Sequence, residues 1–382
     1  MLRMKQTARI ISTYAADVSG VCSALFELGG MTVMHDASGC NSTYNTHDEP
    51  RWYDMDSMVY ISALTEMQAI MGDDEKLIND IVEMACETNP AFTAIAGAPI
   101  PMMTGCDIPA IASVVENMTG IPSFGFQTNG MHSYQMGVSA ALTAYAERMI
   151  DDAATRDEKP AVNIIGVTPL DFSVNGMVDS MRTLLTDAGF KVIGTWAMGS
   201  TREELARAGG AWVNLVVSYA GLAAAEVLKR KFGTPYVIAT PFGMEFSETV
   251  MKALHRAIEN NEDIVPFAAR PADASAEIAI IGESVTSGSL AAALTAKSGK
   301  PVRVVCPLET GHELLAPGDL AVKEEDEIAE AVKQAKVIIA DPLFRPICPP
   351  DCDFRALPHE AFSGRIYRKD IPSSVLNISY FH

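Results

Sequence analysis

The chain alternates short apolar runs with longer amphipathic segments along almost its whole length, and this repeat limits the folds open to it. The runs are apolar throughout, as in FTAIAGAP and PYVIATPF, and do not alternate with polar residues. Such runs are typical of strands covered on both faces, as in parallel sheets. We therefore predict strands at 31–36, 58–64, 92–99, 122–128, 161–169, 191–198, 212–218, 235–242, 277–285, 301–309 and 336–344.

The segments between these runs have the pattern of helices. DDEKLINDIVEMACE begins with acidic residues, which suit a helix N-terminus, and its apolar residues recur with a period of 3.6. Gly-x-Pro sequences at 120–122, 233–235 and 299–301 supply a left-handed cap and then a residue that cannot continue a helix. Strands and helices in this order predict an α/β fold.

Polar breaks at 151–160 and 268–276 divide the repeat into three parts. The last part ends in a Pro-rich segment that we predict to be irregular, from Phe344 onward, and that could wrap a neighbouring domain or a second subunit. Ligands in such folds bind at the carboxyl ends of strands, often between domains. We predict three Rossmann-like domains with mostly parallel sheets, at residues 1–155, 156–270 and 271–382.

The composition excludes several classes of partner. The 382 residues carry a formal net charge of -19, which argues against nucleic acid or an anionic membrane, because both need a cationic surface. No apolar run approaches the roughly 20 residues that span a bilayer, and no signal peptide is recognisable, so we expect a cytoplasmic protein. Its cysteines should then stay reduced, which leaves core packing or metal ligation for each.

Four segments, taken in order, resemble the nitrogenase component 1 family. HDASGCNSTYNTHDEPRW (35–52) resembles the family's His-Gly-x-x-Gly-Cys segment, and SALTEMQAIMGDDEKLINDI (62–81) resembles its Thr-Glu-x-x-x-(Val/Ile)-x-Gly-Gly segment. IPSFGFQTNGMHSYQMG (121–137) is similar to a family strand that leads to a glycine turn, and 162–243 is similar to the whole second domain. The family includes the nitrogenase subunits, their cofactor-assembly scaffold and the light-independent tetrapyrrole reductases.

The resemblance implies that Cys22 and Cys40 hold an iron–sulfur cluster. Gly39, directly before Cys40, would permit close approach of the backbone to such a cluster. Two cysteines do not complete a set of four, so we expect a homodimer in which each subunit gives two thiolates to one [4Fe–4S] cluster. The alternative is that each cysteine is a small buried apolar residue.

Cys106 departs from the family pattern, which usually places a third cluster cysteine directly after the strand that reads AIAGAP here. This chain has Pro99 near that point, and Cys106 follows several residues later. Cys106 begins a predicted helix, whose N-terminus would lower the pKa of the thiol. Three cysteines per subunit would allow a larger or bridged cluster, and a buried, unligated thiol is the alternative.

Two further cysteines, Cys348 and Cys352, lie four residues apart in a Pro-rich loop that also departs from the family. Two thiols at this spacing form half of a site for a second metal, and His359 is their nearest partner in sequence. We interpret Cys86 and Cys306 as packing residues.

Histidines supply the candidates for proton transfer. His35 and His47 flank Cys40, and Asp48, Glu49 and Arg51 follow, a group that could gate protons near a cluster. His312, in ETGHELL, is a candidate contact to a substrate or cofactor in the interdomain cleft. For each histidine, the alternative is a residue that simply satisfies local hydrogen bonds.

The glycine turns at 166–176 and 282–289 lie between a strand and a helix and could receive an anion there. Neither turn is a P-loop. This absence fits the resemblance, which implies that a separate P-loop iron protein hydrolyses ATP and delivers the electrons. We interpret the methionines, many of them near strand ends, as core filler: Met31, Met34, Met102, Met103 and Met131.

The resemblance thus implies an oxidoreductase component with a defined place for electrons and substrate. It would receive electrons from an ATP-dependent iron protein onto its cluster and reduce a small substrate in the interdomain cleft. The displaced third cysteine and the unusual third domain keep a second class of function open. That alternative is a non-catalytic scaffold or carrier that binds a metallocofactor, a tetrapyrrole or another small ligand.

Overall fold

The computed structural model describes residues 8–10, 13–39, 44, 48–271, 273 and 275–378. The described residues form three separate sheets, and every pair of neighbouring strands in them is parallel. The predicted α/β fold with parallel sheets is therefore confirmed. The apolar runs account for it, because the central strands of all three sheets are buried on both faces.

The first sheet has the strand order β2-β1-β3-β4. Its strands are β1 (Met31–His35), β2 (Met58–Ile61), β3 (Thr93–Gly97) and β4 (Ser123–Phe126). Its helices are α1 (Asp17–Leu25), α2 (Glu66–Met71), α3 (Asp74–Thr88), α4 (Pro99–Thr104), α5 (Ile108–Thr119) and α6 (Tyr134–Arg148). Helices α1 and α6 join the main apolar core on one face of the sheet, while α3 and α5 form a second core on the other face.

The second sheet has the strand order β6-β5-β7-β8. Its strands are β5 (Ala161–Ile165), β6 (Lys191–Thr195), β7 (Val213–Val216) and β8 (Tyr236–Ile238). Its helices are α7 (Pro169–Phe172), α8 (Met177–Asp187), α9 (Arg202–Ala206), α10 (Leu222–Phe232) and α11 (Met244–Asn260).

The third sheet has the strand order β11-β10-β9-β12-β13. Its strands are β9 (Ile278–Ile281), β10 (Val302–Cys306), β11 (Leu320–Ala321), β12 (Val337–Ala340) and β13 (Asp353–Ala356). Its helices are α12 (Ser284–Ser298), α13 (Glu325–Val332) and α14 (Glu360–Ser363). Strand β13 lies in the segment that we expected to be irregular. Its four residues include two charged ones and form an edge of the sheet, so the sequence has no apolar run that would predict this strand.

Glycines end several helices as the Gly-x-Pro pattern predicted. Gly120, Gly233 and Gly299 are the C-caps of α5, α10 and α12, with φ angles of 71°, 72° and 70°. In this left-handed conformation the backbone N–H of each glycine reaches a carbonyl of the last helical turn.

Helices α1 and α6 cross so closely that glycine is required on both. A Cβ on Gly20 would overlap the carbonyl oxygen of Tyr134, and a Cβ on Gly137 would overlap that of Asp17. Both obstacles are backbone atoms, which cannot move aside as a side chain could. The crossing fixes the position of α1 on the first domain.

After α14 the chain runs back across the second domain. We call residues 371–378 the C-terminal strap. The side chains of Ile371, Val375 and Ile378 are buried, and the carbonyl of Val375 accepts a hydrogen bond from the backbone N–H of Gly243 at 2.9 Å. The strap therefore packs against the segment that precedes α11, beside the second sheet.

Candidate functional site

Cys22 lies inside α1. Its side chain is fully buried. Burial and the nearby Glu49 carboxylate raise the pKa of the Cys22 thiol far above its usual value. Tyr44 is also close enough for the two side chains to influence each other electrostatically, and Tyr44 follows Cys40 by four residues in sequence.

Cys40 and His47, two other residues predicted for this region, lie outside the described residues. Gly39, directly before Cys40, is exposed in a turn after β1. Among the described residues, no heavy atom lies within 4 Å of a Cβ built on Gly39. The described residues therefore leave space beside Gly39, and the close approach of its backbone to a cluster stays a prediction.

A buried group of charges joins the first domain to the second, and we call Arg51, Glu27 and Glu49 the Arg51 cluster. The guanidinium Nε lies 2.7 Å from Glu49 Oε1, and Nη1 lies 2.9 Å from Glu27 Oε1. Nη1 also donates to the carbonyl of Ala197 at 2.8 Å. Ser23 Oγ donates to Glu49 at 2.5 Å. Glu49 and Arg51, which we expected to gate protons, thus form an ion pair beside Cys22, and Arg51 also binds the carbonyl of Ala197 near the second sheet.

Cys106 lies on the other side of the first sheet from Cys22. It belongs to the core formed with α3 and α5, whereas Cys22 belongs to the core formed with α1 and α6. Its Sγ lies 3.7 Å from Asp74 Oδ1. Burial and Asp74 raise the pKa of Cys106 to about 12. The lowered pKa that we expected from the helix N-terminus is therefore wrong, because desolvation and a carboxylate outweigh the helix dipole.

The raised pKa of Cys106 predicts slow alkylation of its thiol in the metal-free protein. Cys86, which we had interpreted as a packing residue, is instead exposed on α3 and serves as a control within the same chain. Iodoacetamide attacks the thiolate, so at pH 8 Cys106 should react on the order of 100-fold more slowly than Cys86. Mass spectrometry of timed samples measures both rates, and equal rates would contradict the buried, neutral thiol.

His35 ends β1 and is buried. Its Nδ1 lies 2.9 Å from Ser62 Oγ, a contact between β1 and the segment after β2. Burial lowers the pKa of His35, although the Asp74 carboxylate opposes the shift. His35 is therefore a neutral residue at neutral pH that makes a local hydrogen bond.

Elements around all three sheets meet at a group of titratable side chains that the sequence did not bring together. We call Tyr134, Asp171, Glu283 and His359 the junction cluster. Tyr134 begins α6 and donates its hydroxyl hydrogen to Asp171 Oδ1. His359 Nε2 lies 3.4 Å from the same oxygen. Thr168 Oγ1 donates to the other carboxylate oxygen at 3.3 Å.

The protonation states in the junction cluster follow from burial and hydrogen bonds. Burial and Asp171 raise the pKa of Tyr134 well above its usual value, so the phenol keeps its proton. His359 Nδ1 accepts a hydrogen bond from the backbone N–H of Ala361 at 3.3 Å, which assigns the proton of a neutral ring to Nε2. The cluster can therefore hold protons on both sides of a buried carboxylate.

Glu283 fills the helix terminus that we expected to receive an anion. Its carboxylate accepts from the backbone N–H groups of Val285 at 3.0 Å and Thr286 at 2.7 Å. Burial and Asp171 raise the pKa of Glu283. The turn at 282–289 is thus capped by its own side chain, and this end of α12 offers no free anion site.

The other predicted residues lie apart from this cluster. His312 is exposed in a short 3-10 helix. Arg345 Nη1 donates to Cys352 Sγ at 3.2 Å, while Cys348 Sγ donates to the carbonyl of Phe344 at 3.3 Å. His359, which we named as the nearest partner of these two cysteines in sequence, thus lies beside Asp171. The thiols of Cys348 and Cys352 each make a hydrogen bond within the protein.

An exposed methionine surface covers one side of the first domain. Helix α2 has no buried residue, and its Met67, Ile70 and Met71 are each about 70% exposed. Helix α4 packs against it and exposes 80% of Met103. Met31 and Met34 are fully buried, but Met103 and Met131 are not, so core filling explains only part of the methionines. Exposed apolar surfaces of this kind mark sites of protein association.

Two kinds of feature are absent from the described residues. No group of three or more His, Cys, Asp or Glu side chains in the described part of the chain is arranged to hold a metal ion. Within the same residues, no helix is both long and apolar enough to cross a membrane.

Comparisons with known proteins agree with the fold. One of the relatives, a light-independent protochlorophyllide reductase subunit of Leptolyngbya boryana, is 35% identical over 116 residues, 29% of this chain and 23% of that protein. Nitrogenase iron-molybdenum cofactor biosynthesis protein NifE of Clostridium pasteurianum is 26% identical over 204 residues, 53% of this chain and 43% of that protein. The chain thus spans less than half the length of these relatives.

A solved structure of nitrogenase Cp1 at pH 6.5 shares the fold, with a TM-score of 0.70 and 14% identity. It covers 98% of this chain, which covers 92% of that one. The family model described as nitrogenase component 1 type oxidoreductase matches residues 19–309, well over half of the chain. The chain therefore belongs to the nitrogenase component 1 type oxidoreductase family.

Proposed function

We propose that this protein is a component of a nitrogenase-like oxidoreductase. It receives electrons from an ATP-dependent iron protein onto an iron–sulfur cluster and reduces a small substrate in the cleft between its domains. The junction cluster carries the proposal, because reduction of a substrate consumes protons as well as electrons. Tyr134 and His359, from the first and third predicted domains, converge on the carboxylate of Asp171, from the second, beside a cavity.

The roles of the junction residues follow from their contacts. Tyr134 donates its proton to Asp171, and His359 Nε2 lies 3.4 Å from the same carboxylate oxygen. His359 belongs to the lining of the cavity, and its Nε2 makes no hydrogen bond among the described residues. Asp171 links the two groups and stabilises the charge that forms on His359 when a proton moves.

We propose that Cys22 and Cys40 of each of two subunits hold the iron–sulfur cluster. Cys22 supplies a buried thiol with Tyr44 beside it, and Tyr44 belongs to the segment that follows Cys40. Metal binding would have to displace the thiol proton of Cys22, whose pKa is raised. A cluster held there would accept and pass on single electrons. Cys106 stays outside this site because it lies across the sheet.

The methionine surface supports a protein partner. A short helix without a buried face gains little stability from its own sequence, so α2 is expected to be covered in an assembly. Its exposed Met67 and Met71, with Met103 of α4, form an adaptable apolar surface. We propose that the iron protein docks on this side of the first domain.

Iron analysis tests the proposed cluster. Purified anaerobically, the wild-type protein should contain iron and sulfide and give an electron paramagnetic resonance signal after reduction. Cys22→Ala and Cys40→Ala should each remove most of the iron, because a cubane that loses two of its four thiolates is poorly held. Light scattering of the iron-loaded protein should show two copies, and a monomer of 41.0 kDa would contradict a shared site.

Control variants separate ligation from packing. Cys306→Ala removes a fully buried thiol in β10 and Cys86→Ala an exposed one on α3, and both should keep full iron content. If Cys22→Ala and Cys40→Ala also keep it, while the Cys348→Ala/Cys352→Ala double variant loses it, the metal lies in the C-terminal loop. The assignment to Cys22 and Cys40 would then be wrong.

A scaffold or carrier is the second candidate, and the similarity to NifE over 53% of this chain favours it. The two functions differ in their response to a reductase. If the resonance signal of the protein changes on addition of a P-loop iron protein with MgATP, the protein accepts electrons. An unchanged signal, together with a metallocofactor or tetrapyrrole that copurifies, would support the carrier.

A further inference from the structure

The C-terminal strap closes a cavity between the second and third domains. One end of the cavity is polar, with the side chains of Asp171, Thr286 and His359. The walls are apolar and come from α7, α8, α12 and the loops after β8 and β13. Five lining residues belong to the strap itself: Ile371, Pro372, Ser374, Asn377 and Ile378.

With the strap in place, this cavity is too small for a substrate. Its volume is about 60 Å³, enough for a few water molecules. Sites for small molecules measure roughly 300 Å³ or more. The polar end nevertheless has an acceptor for a ligand, because the Asp171 carboxylate belongs to the lining and His359 Nε2, 3.4 Å from it, makes no hydrogen bond among the described residues. A ligand can use this group only if the strap moves.

The strap is held by a small number of contacts outside the cavity. Asn175 Nδ2 donates to the carbonyls of Ile371 at 3.0 Å and Pro372 at 2.7 Å. The backbone N–H of Val375 donates to Ser180 Oγ at 3.2 Å, and its carbonyl accepts from the backbone N–H of Gly243 at 2.9 Å. The strap has no helix or strand hydrogen bonds of its own in residues 371–378. A segment with so few hydrogen bonds opens at a lower cost than the sheets beneath it.

We propose that the C-terminal strap is a lid whose release opens the junction cavity to a largely apolar ligand that carries one hydrogen-bond donor or cationic group. The apolar walls select the body of the ligand. The carboxylate of Asp171, which belongs to the lining, favours a donor or cation at the polar end and disfavours an anion. This proposal rests on the proposed function, since it names the class of substrate that the cleft would take.

Binding of two related dyes tests the lid. N-phenyl-1-naphthylamine is neutral, apolar and carries one N–H donor, and 1-anilinonaphthalene-8-sulfonate is its anionic analogue. Stopped-flow fluorescence with the wild-type protein should show binding of the neutral dye at a rate that levels off with dye concentration, because the lid must open first. The sulfonate should bind at least about tenfold more weakly.

Two variants loosen the strap from different sides. Asn175→Ala removes both hydrogen bonds to the start of the strap and should raise the limiting rate about tenfold. Ser180→Ala removes the contact to Val375 and should raise it by a smaller factor. Asn260→Ala, on the exposed end of α11, is the matched control and should leave the rate unchanged. Circular dichroism verifies that each variant is folded.

The outcomes distinguish the lid from the reductase. Equal limiting rates in wild type, Asn175→Ala and Ser180→Ala, or no binding of the neutral dye to any of them, would overturn the lid. If Asp171→Asn leaves the preference over the sulfonate unchanged, the dye binds elsewhere and the ligand class is wrong. None of these measurements needs iron, so the lid can hold even if the iron analysis contradicts the proposed cluster, and the reverse.

Discussion

Replacement of Arg51 by methionine is expected to lower the free energy of unfolding by roughly 3–5 kcal/mol. The side chain of Glu49 is fully buried and that of Glu27 nearly so, and Arg51 is the cation paired with both. Methionine fills a similar volume but leaves these carboxylates without a positive charge in a medium that solvates them poorly. Urea-induced unfolding, followed by circular dichroism, measures the loss.

A surface pair provides the control for this variant. Arg256 pairs with Glu262 at the surface, where their side chains are 64% and 36% exposed, so Arg256→Met should shift the urea midpoint little. Adding Glu49→Gln to Arg51→Met should recover part of the loss, because it removes one of the uncompensated charges. If Arg51→Met unfolds at the same urea concentration as Arg256→Met, the Arg51 cluster does not stabilise the fold.

Gly137→Ala is expected to destabilise the protein by about 3 kcal/mol, although alanine is the better helix former. Helix propensity alone predicts stabilisation by about 1 kcal/mol for this change inside α6. The new methyl group would, however, overlap the carbonyl oxygen of Asp17 in α1. The two helices must then separate, and α1 carries Cys22 away from Glu49 and Tyr44.

Whether Gly137→Ala lowers or raises the free energy of unfolding decides between the steric overlap and helix propensity. Ala140→Ser adds one heavy atom to the exposed face of the same helix and should change the urea midpoint little. A Gly137→Ala protein that is as stable as wild type, or more stable, would contradict the close crossing. If the crossing also positions Cys22, the same variant should retain less iron than Ala140→Ser in the anaerobic preparation.

The fold could be predicted because its signals are local. The apolar run AVNII is a buried strand, β5, and the Gly-x-Pro at 299–301 marks the end of α12 and the start of β10. Strand β13 was missed because an edge strand need not be apolar. Its position depends on pairing with β12, which lies more than ten residues away in sequence.

The candidate site was harder to predict because it depends on contacts between domains. Asp171 and Glu283 both follow strands and lie in turns that the sequence singled out, but as anion sites and not as carboxylates of one cluster. Nothing in the sequence pairs Tyr134 with Asp171, 37 residues away. For Cys106, the local rule for helix N-termini failed because the nearby Asp74 comes from another helix.

The two ends of each sheet differ in the residues that follow them. All four junction residues follow the carboxyl end of a strand, whereas the opposite ends of the sheets hold exposed turns such as Asn89, Gly189 and Gly299. A Cβ on Gly189 or Gly299 would meet no atom within 4 Å among the described residues. Loops of this kind tolerate added sequence, so peptide tags, fluorophores or attachment points for immobilisation belong at these turns.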